Sequence, residues 1–299
     1  MATISLLLST TQIAELVSVF DKTEFATPPA YASYQIRTEN CVITIYESLK
    51  VVFQGKDADI YASKYSPITE TKKETTVVKN TFPQCGSDEV GTGDYFGPIC
   101  VVACAIDKTI AKKIAHLKVQ DSKLLTDDKI MVIGKELTAT IPYSICILDN
   151  EKYNEVHQVS NMNEIKAKLH NQCYLNLENK LVKLPRLRIV DQFVAKDTYY
   201  RYLRNEKNLI NNLTFETKAE SKYLSVACAS IIARYIFLQQ WEKMEQTYNM
   251  SFPKGASTMV DDKAKEFISK YGFDKLNGVA KVHFKNTTKA QLKLKATTD

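Results

Sequence analysis

Two adjacent carboxylates stand at the start of a glycine-rich segment, the most chemically suggestive combination of residues in the chain. The segment reads Gly86-Ser87-Asp88-Glu89-Val90-Gly91-Thr92-Gly93-Asp94-Tyr95-Phe96-Gly97-Pro98. Carboxylate oxygens are hard ligands that suit Mg²⁺ or Mn²⁺, and glycines let backbone N–H groups approach a substrate without a Cβ in the way. The pattern therefore indicates a metal site beside a phosphate-binding loop.

Phosphodiester hydrolysis at neutral pH requires further carboxylates near this pair. Two metal ions about 3.5–4 Å apart neutralise the attacking and leaving oxygens, and several clustered carboxylates must hold them. Asp191 directly follows the apolar run 187–190, at a strand end, and Glu220 precedes a long predicted helix whose dipole favours negative charge. Taken alone, Asp191 is also typical of a turn, and Glu220 of a solvated helix cap.

The geometry of a β-strand raises an objection to a shared site for Asp88 and Glu89. Adjacent residues of a regular strand point to opposite faces of the sheet. The two carboxylates therefore meet only if the strand ends at this pair, and the glycines that follow favour such an ending.

Several other kinds of site are excluded by the motifs. A dinucleotide loop fails because Phe96 stands where the third glycine is needed and Pro98 follows where a helix must run. The chain has no Walker loop, no His-Glu-x-x-His and no Gly-x-Ser-x-Gly. The four histidines lie far apart and the seven cysteines form no Cys-x-x-Cys pair, so neither a zinc site nor a disulfide frame is expected.

The elements that must position the carboxylates are those of an α/β domain. Apolar strands are predicted at 99–106, 144–148 and 187–190, separated by helical stretches such as 153–181. The clearest helix spans 221–248, where apolar residues recur with helical spacing. Strands that alternate with helices predict a sheet with covered faces.

The first seventy residues predict a separate α+β unit. Strands are expected at 34–37, 41–46 and 50–53, and a helix capped by Ser9 runs to about Phe20. Residues 66–82 are rich in threonine and charge, which is typical of a linker. The predicted organisation is an N-terminal domain at 1–65, a linker at 66–82 and a larger α/β domain at 83–299.

The sequence predicts a cytoplasmic globular protein in which the region after Phe82 is basic. The start of the chain resembles a strand rather than a signal peptide, and no long apolar run predicts a membrane segment. Up to Phe82 there are 8 Lys and Arg against 9 Asp and Glu, and beyond it 32 against 25. This excess fits a nucleic acid partner, although many proteins without one are equally basic.

The motifs together resemble the type 2 ribonucleases H, and ribonuclease HIII in particular. The resemblance rests on the segment 86–98 followed by four further motifs in order, namely Asp121-Ser122-Lys123, Val190-Asp191-Gln192-Phe193, Thr217-Lys218-Ala219-Glu220 and Ser230-Ile231-Ile232-Ala233-Arg234-Tyr235. It implies an α/β ribonuclease H-like catalytic domain at 83–299. The run Lys50-Val51-Val52-Phe53-Gln54-Gly55-Lys56-Asp57-Ala58 also resembles the extra domain of that family. The resemblance therefore implies a small α+β N-terminal substrate-binding domain at 1–65 that is similar to the TATA-binding-protein fold.

The same resemblance implies an endonuclease that cuts the RNA strand of an RNA–DNA hybrid and leaves 5′-phosphate and 3′-hydroxyl ends. Two Mg²⁺ or Mn²⁺ ions would be held by four carboxylates: Asp88, Glu89, Asp191 and Glu220. Substrate contacts are expected from the glycine loop and from residues near phosphates: Gly91, Thr92, Gly93, Ser122, Lys123 and Lys218. The lysines have an ordinary surface role as the alternative.

Two other functions stay open from the sequence. One is a non-catalytic hybrid-binding protein of the same fold, against which the presence of all four carboxylates argues. The other is a ribonuclease HII-like activity at single embedded ribonucleotides, against which Glu220 argues, because ribonuclease HII has Asp at the matching position. A monomer without a small-molecule cofactor is expected.

Overall fold

The computed structural model describes residues 2–29, 31–65, 81–119 and 125–295, and the chain divides into two units at 1–75 and 76–299. The predicted linker lies outside the described residues except for 81 and 82. The domain limits given above therefore remain a prediction.

The described part of the N-terminal unit forms a five-stranded antiparallel sheet in the order β1-β5-β4-β3-β2. Its elements are β1 (Ala2–Leu7), α1 (Thr10–Ser18), β2 (Phe25–Ala26), β3 (Ala32–Arg37), β4 (Cys41–Tyr46), β5 (Lys50–Gly55) and α2 (Ala58–Ser63).

A buried apolar face holds this small unit together. Ser9 and Gln12 form a capping box that begins α1, as the sequence predicted for Ser9. Leu16 of that helix packs in one cluster with Ile43 and Phe53 of the sheet. Alternating strand residues thus give the sheet one buried face.

The second unit contains a mixed five-stranded sheet in the order β10-β9-β6-β7-β8. β9 is parallel to both β6 and β10, whereas β7 is antiparallel to its neighbours β6 and β8. The strands are β6 (Gln84–Val90), β7 (Ile99–Ile106), β8 (Tyr143–Leu148), β9 (Leu187–Asp191) and β10 (Thr214–Glu216). The helices are α3 (Lys108–Lys113), α4 (Asp127–Thr140), α5 (Asn150–His157), α6 (Met162–Leu181), α7 (Lys196–Tyr202), α8 (Leu224–Tyr248), α9 (Thr258–Tyr271), α10 (Phe273–Leu276) and α11 (Lys285–Lys295).

Helices cover both faces of this sheet. Along the fully buried strand β7, Val102 belongs to the cluster that contains the α8 residues, and Val101 to the cluster that contains the α6 residues. α8 and α6 therefore lie on opposite faces, as expected for an α/β domain. The described helices include none long and apolar enough to cross a membrane.

One predicted helix is two helices in the structure. The stretch 153–181 contains the end of α5 and all of α6, with a break between them. Asn161 causes the break, because its side chain accepts a hydrogen bond from the N–H of Glu164 and so begins a new helix.

Candidate active site

Asp88 and Glu89 lie on opposite faces of the central sheet. The strand does not end at this pair, because the pairing of β6 with β7 continues through Val90. Asp88 accepts a hydrogen bond from Ser230 of α8, whereas Glu89 forms an ion pair with Lys166 of α6. The expected strand ending is therefore wrong, and regular alternation separates the two side chains.

Asp88 is a nearly enclosed carboxyl group, with 8% of its surface exposed. Burial raises its pKa well above the usual range, and the negative charges of Glu89 and Asp191 raise it further. The side chain of Ser230 and the N–H of Glu89, 2.7 Å from Oδ1, donate hydrogen bonds that favour the ionised form. The repulsion between Asp88 and Asp191 shows that the two carboxylates are close together.

Asp191 is the last residue of β9 and lies on the same face of the sheet as Asp88. The parallel pairing of β6 with β9 ends one residue before each of these carboxylates, so they occupy corresponding positions. Ile189, two residues earlier, packs with Val226 of α8. Because side chains alternate along a strand, Asp191 also faces α8.

Glu220 lies in a single 3-10 turn, Ala219–Ser221, directly before α8. Its side chain is buried, with 6% exposed, and the N–H of Ala219 beside it donates to Oδ1 of Asp191 at 2.8 Å. The sequence predicted that the helix begins at 221, but it begins at Leu224. The chain enters the turn through Lys218 in the left-handed conformation, at φ +53°, and the regular helix starts only after the turn.

Glu89 is held on the α6 face by two basic side chains. Lys166 Nζ forms an ion pair with Oε1, and His170 Nε2 donates to Oε2 at 2.9 Å. Burial opposes ionisation of Glu89, but the hydrogen bond and charge of His170, with those of Lys166, outweigh burial and lower its pKa. Phe193 covers the pair, with its ring centroid 4.0 Å from Lys166 Nζ and 5.3 Å from the His170 ring centroid.

Sequence reasoning missed Lys166 and His170 as part of the site. Their spacing of four residues places them on one face of α6, which is a visible signal. Nothing in the local sequence shows that this face meets Glu89.

The glycine loop follows β6, and its first two glycines have different surroundings. Gly91 has φ +97°, and a Cβ there would lie 2.2 Å from the carbonyl oxygen of Pro98. The fold itself therefore requires glycine at this position. Gly93 is exposed, and a Cβ would have no atom within 4 Å, so the fold does not require glycine there. Thr92 between them is half-buried.

Of the other predicted substrate contacts, the structure describes Lys218 but not Ser122 or Lys123. Lys218 is exposed next to the Glu220 turn. Ser122 and Lys123 lie outside the described residues, so their contacts remain a prediction.

Two of the histidines, although far apart in the sequence, are close together in the fold. The rings of His157 and His283 stack with centroids 3.8 Å apart. Burial, with the charges of His157 and Lys281, lowers the pKa of His283 to about 4. All seven cysteines are free thiols, and six of them are buried.

The donor chemistry fits a divalent cation at Asp88 and Asp191. Both present carboxylate oxygens, which suit Mg²⁺ or Mn²⁺, and a cation would relieve the repulsion that raises the pKa of Asp88. Within the described residues, however, no three or more His, Cys, Asp and Glu side chains are grouped as a metal site. Glu89 would have to leave its basic partners to join one, and the metal role of all four carboxylates remains a prediction.

Two family models match the chain, one for each of its two units. The family model for ribonuclease HII matches residues 85–287. A model described only as a domain of unknown function, DUF3378, matches residues 3–77.

Individual relatives cover almost the whole chain. Ribonuclease HIII of Exiguobacterium sibiricum is 38% identical over 97% of both chains. Ribonuclease HIII of Bacillus subtilis is 41% identical over 89% of this chain and 90% of its own. The crystal structure of Bst-RNase HIII in complex with Mn²⁺ is 35% identical, with a TM-score of 0.72 over 99% of this chain and 100% of its own.

Fold and relatives together define a ribonuclease H-like endoribonuclease, a hydrolase. The chain belongs to the ribonuclease HIII family. The similarity of the N-terminal unit to the TATA-binding-protein fold remains a prediction.

Proposed function

We propose that this protein cuts the RNA strand of RNA–DNA hybrids and depends on Mg²⁺ or Mn²⁺ for the reaction. The observation that carries the proposal is the pair Asp88 and Asp191, side by side on two central strands in a chain of the ribonuclease HIII family. The cleavage is hydrolytic and leaves 5′-phosphate and 3′-hydroxyl ends. The Mn²⁺ complex of the relative Bst-RNase HIII supports the choice of cations.

Asp88, Asp191 and Glu220 would hold the ions, and Glu89 would join them after exchanging its basic partners for a cation. Ions bound in this way supply an activated water and neutralise charge on the attacking and leaving oxygens. Asp88, Glu89 and Asp191 are buried or half-buried near the carboxyl ends of β6 and β9, and the glycine loop directly follows β6.

Neighbouring donors orient the carboxylates before any substrate arrives. Ser230 and the N–H of Glu89 donate to Asp88, and the N–H of Ala219 donates to Asp191. Fixed orientation reduces the reorganisation needed during reaction, which favours catalysis. These donors therefore act as positioning groups for the anionic centre.

The glycine loop is the proposed reader of the ribose. Backbone groups of Gly91, Thr92 and Gly93 would contact the 2′-hydroxyl, which distinguishes RNA from DNA. The open space around Gly93 supports a substrate contact there. Exposed Lys218 would contact a phosphate, and Ser122 with Lys123 is assigned the same role from the sequence.

The N-terminal unit would grip the hybrid with its sheet. Lys50, Gln54 and Lys56 are exposed and available for contacts, whereas Phe53 is fully buried in the core of the unit. The near-neutral charge of this part makes hydrogen bonding and shape more important than attraction to phosphates. The enzyme would act as a cytoplasmic monomer without a small-molecule cofactor.

Cleavage of labelled duplexes tests the proposal directly. An RNA–DNA hybrid, an RNA–RNA duplex, a DNA–DNA duplex and a DNA duplex with one ribonucleotide would be incubated with Mg²⁺, Mn²⁺ or EDTA. Metal-dependent cutting of the RNA strand of the hybrid is expected. Hybrid binding without cleavage under any metal would favour a non-catalytic binding protein, and preferred incision at the single ribonucleotide would favour a ribonuclease HII-like activity.

A further inference from the structure

Lys281 is a buried lysine whose terminal nitrogen contacts the second half of the glycine loop. Its side chain has no exposed surface, and Nζ donates to the backbone carbonyl oxygens of Gly97 at 2.6 Å and Asp94 at 2.9 Å. Burial lowers the pKa of Lys281 to about 7, against the charges of Asp94 and Cys100. Burial of a lysine costs free energy unless its donors are paired, and the two loop carbonyl oxygens supply that pairing.

Further hydrogen bonds hold the same half of the loop to the C-terminal segment. The N–H of Lys281 donates to the carbonyl of Tyr95 at 2.8 Å, and the N–H of Gly97 donates to the carbonyl of Val279 at 2.9 Å. Asn150 Nδ2 adds a second side-chain donor to the Gly97 carbonyl at 3.0 Å. Residues 94–97 are therefore fixed to elements far away in sequence.

We propose that Lys281 is a positioning residue, which fixes the glycine loop in the conformation that recognises the hybrid. The inference rests on the proposed function, because it takes residues 91–93 as the part of the loop in contact with substrate. These residues directly precede Asp94, so a shift of the Lys281 contacts would displace them. Both the ammonium and the neutral amine have at least two N–H donors, so the two contacts persist through neutral pH.

The only tryptophan of the chain reports on this loop without any substrate. A Cβ at Gly97 would lie 2.9 Å from the ring of Trp241, so the ring packs directly on the loop backbone. Movement of the loop would therefore change how readily acrylamide quenches the fluorescence of Trp241.

The test compares wild type with Lys281→Met, which has similar length but no donor, and with Lys275→Met, a control at an exposed lysine. The measurements are KM and kcat on the labelled hybrid, Kd for hybrid and for DNA duplex in EDTA, and acrylamide quenching. We expect Lys281→Met to raise KM and the hybrid Kd about tenfold or more, with kcat within about threefold, and to increase quenching. Lys275→Met should match wild type.

Asn150→Ala provides a second variant, because it removes the other side-chain donor to Gly97. It should shift KM and quenching in the same direction by a smaller factor, and it tests the inference if Lys281→Met does not fold. Unchanged KM and hybrid Kd in a folded variant would overturn the inference, with or without a change in quenching. Failure of wild type to cleave or prefer the hybrid would instead overturn the proposed function, while quenching would still test the Lys281 contact.

Discussion

Alanine at Gly91 and alanine at Gly93 should change stability in opposite directions. At Gly91, an L residue at φ +97° costs about 1–2 kcal/mol. The approach of the Cβ to the Pro98 carbonyl, at 2.2 Å, adds overpacking of about 1–3 kcal/mol. At Gly93 the Cβ meets no atom within 4 Å, and the reduced freedom of the unfolded chain stabilises the protein by about 0.4–1 kcal/mol.

Thermal unfolding and hybrid cleavage together separate the two effects. The two costs together are about 2–5 kcal/mol, so Gly91→Ala should lower Tm by about 4–20 °C, given about 2–4 °C per kcal/mol for a unit of this size. Gly93→Ala should keep or raise Tm but increase KM about tenfold, because its Cβ would occupy the surface proposed to contact the ribose. Gly272→Ala, at φ +89° in open space, is the control for backbone strain without a clash.

Two results would refute this reasoning. A wild-type Tm for Gly91→Ala would show that the loop relaxes without cost. A wild-type KM for Gly93→Ala would show that Gly93 does not lie against the substrate.

Four further predictions concern the metal, the site and the two units. Asp191→Asn should lower kcat at least about 10³-fold while the hybrid Kd in EDTA stays within about threefold, and normal turnover would contradict its assignment. EDTA should abolish cleavage and added Mg²⁺ or Mn²⁺ should restore it, so full activity in EDTA would exclude the metal requirement. The pKa of Lys281 is about 7 in the folded protein and 10.5 in the unfolded chain. Between these two pH values the unfolded chain binds more protons than the folded protein. The contribution of Lys281 to stability therefore rises with pH, by at most about 1.4 kcal/mol per pH unit. Urea unfolding should show that Lys281→Met lacks this slope, and equal slopes would contradict the shift. Deletion up to Phe82 should weaken hybrid binding at least about tenfold, whereas unchanged affinity would refute the gripping role.

Local patterns were sufficient to predict much of the secondary structure. The strands expected at 41–46 and 99–106 have the observed bounds, because their apolar runs are long and end at clear turn residues. The predicted helix 153–181 was wrong in its continuity, since the Asn161 cap starts a new helix within an unbroken apolar pattern. The start of α8 was predicted three residues early because the 3-10 turn at Glu220 depends on contacts with β9.

The sequence alone determined which residues have the chemistry for the site and the order in which they occur. The sequence shows the carboxylates, the glycine loop and the resemblance to ribonuclease HIII. The tertiary structure decided how they face one another. β6 stays paired with β7 beyond Asp88, so the alternation of side chains directs Glu89 to the opposite face of the sheet. Lys281 donates a hydrogen bond to Gly97, which is 184 positions away in the sequence. Strand pairing and packing between distant segments set these contacts, and no local pattern in the chain encodes them.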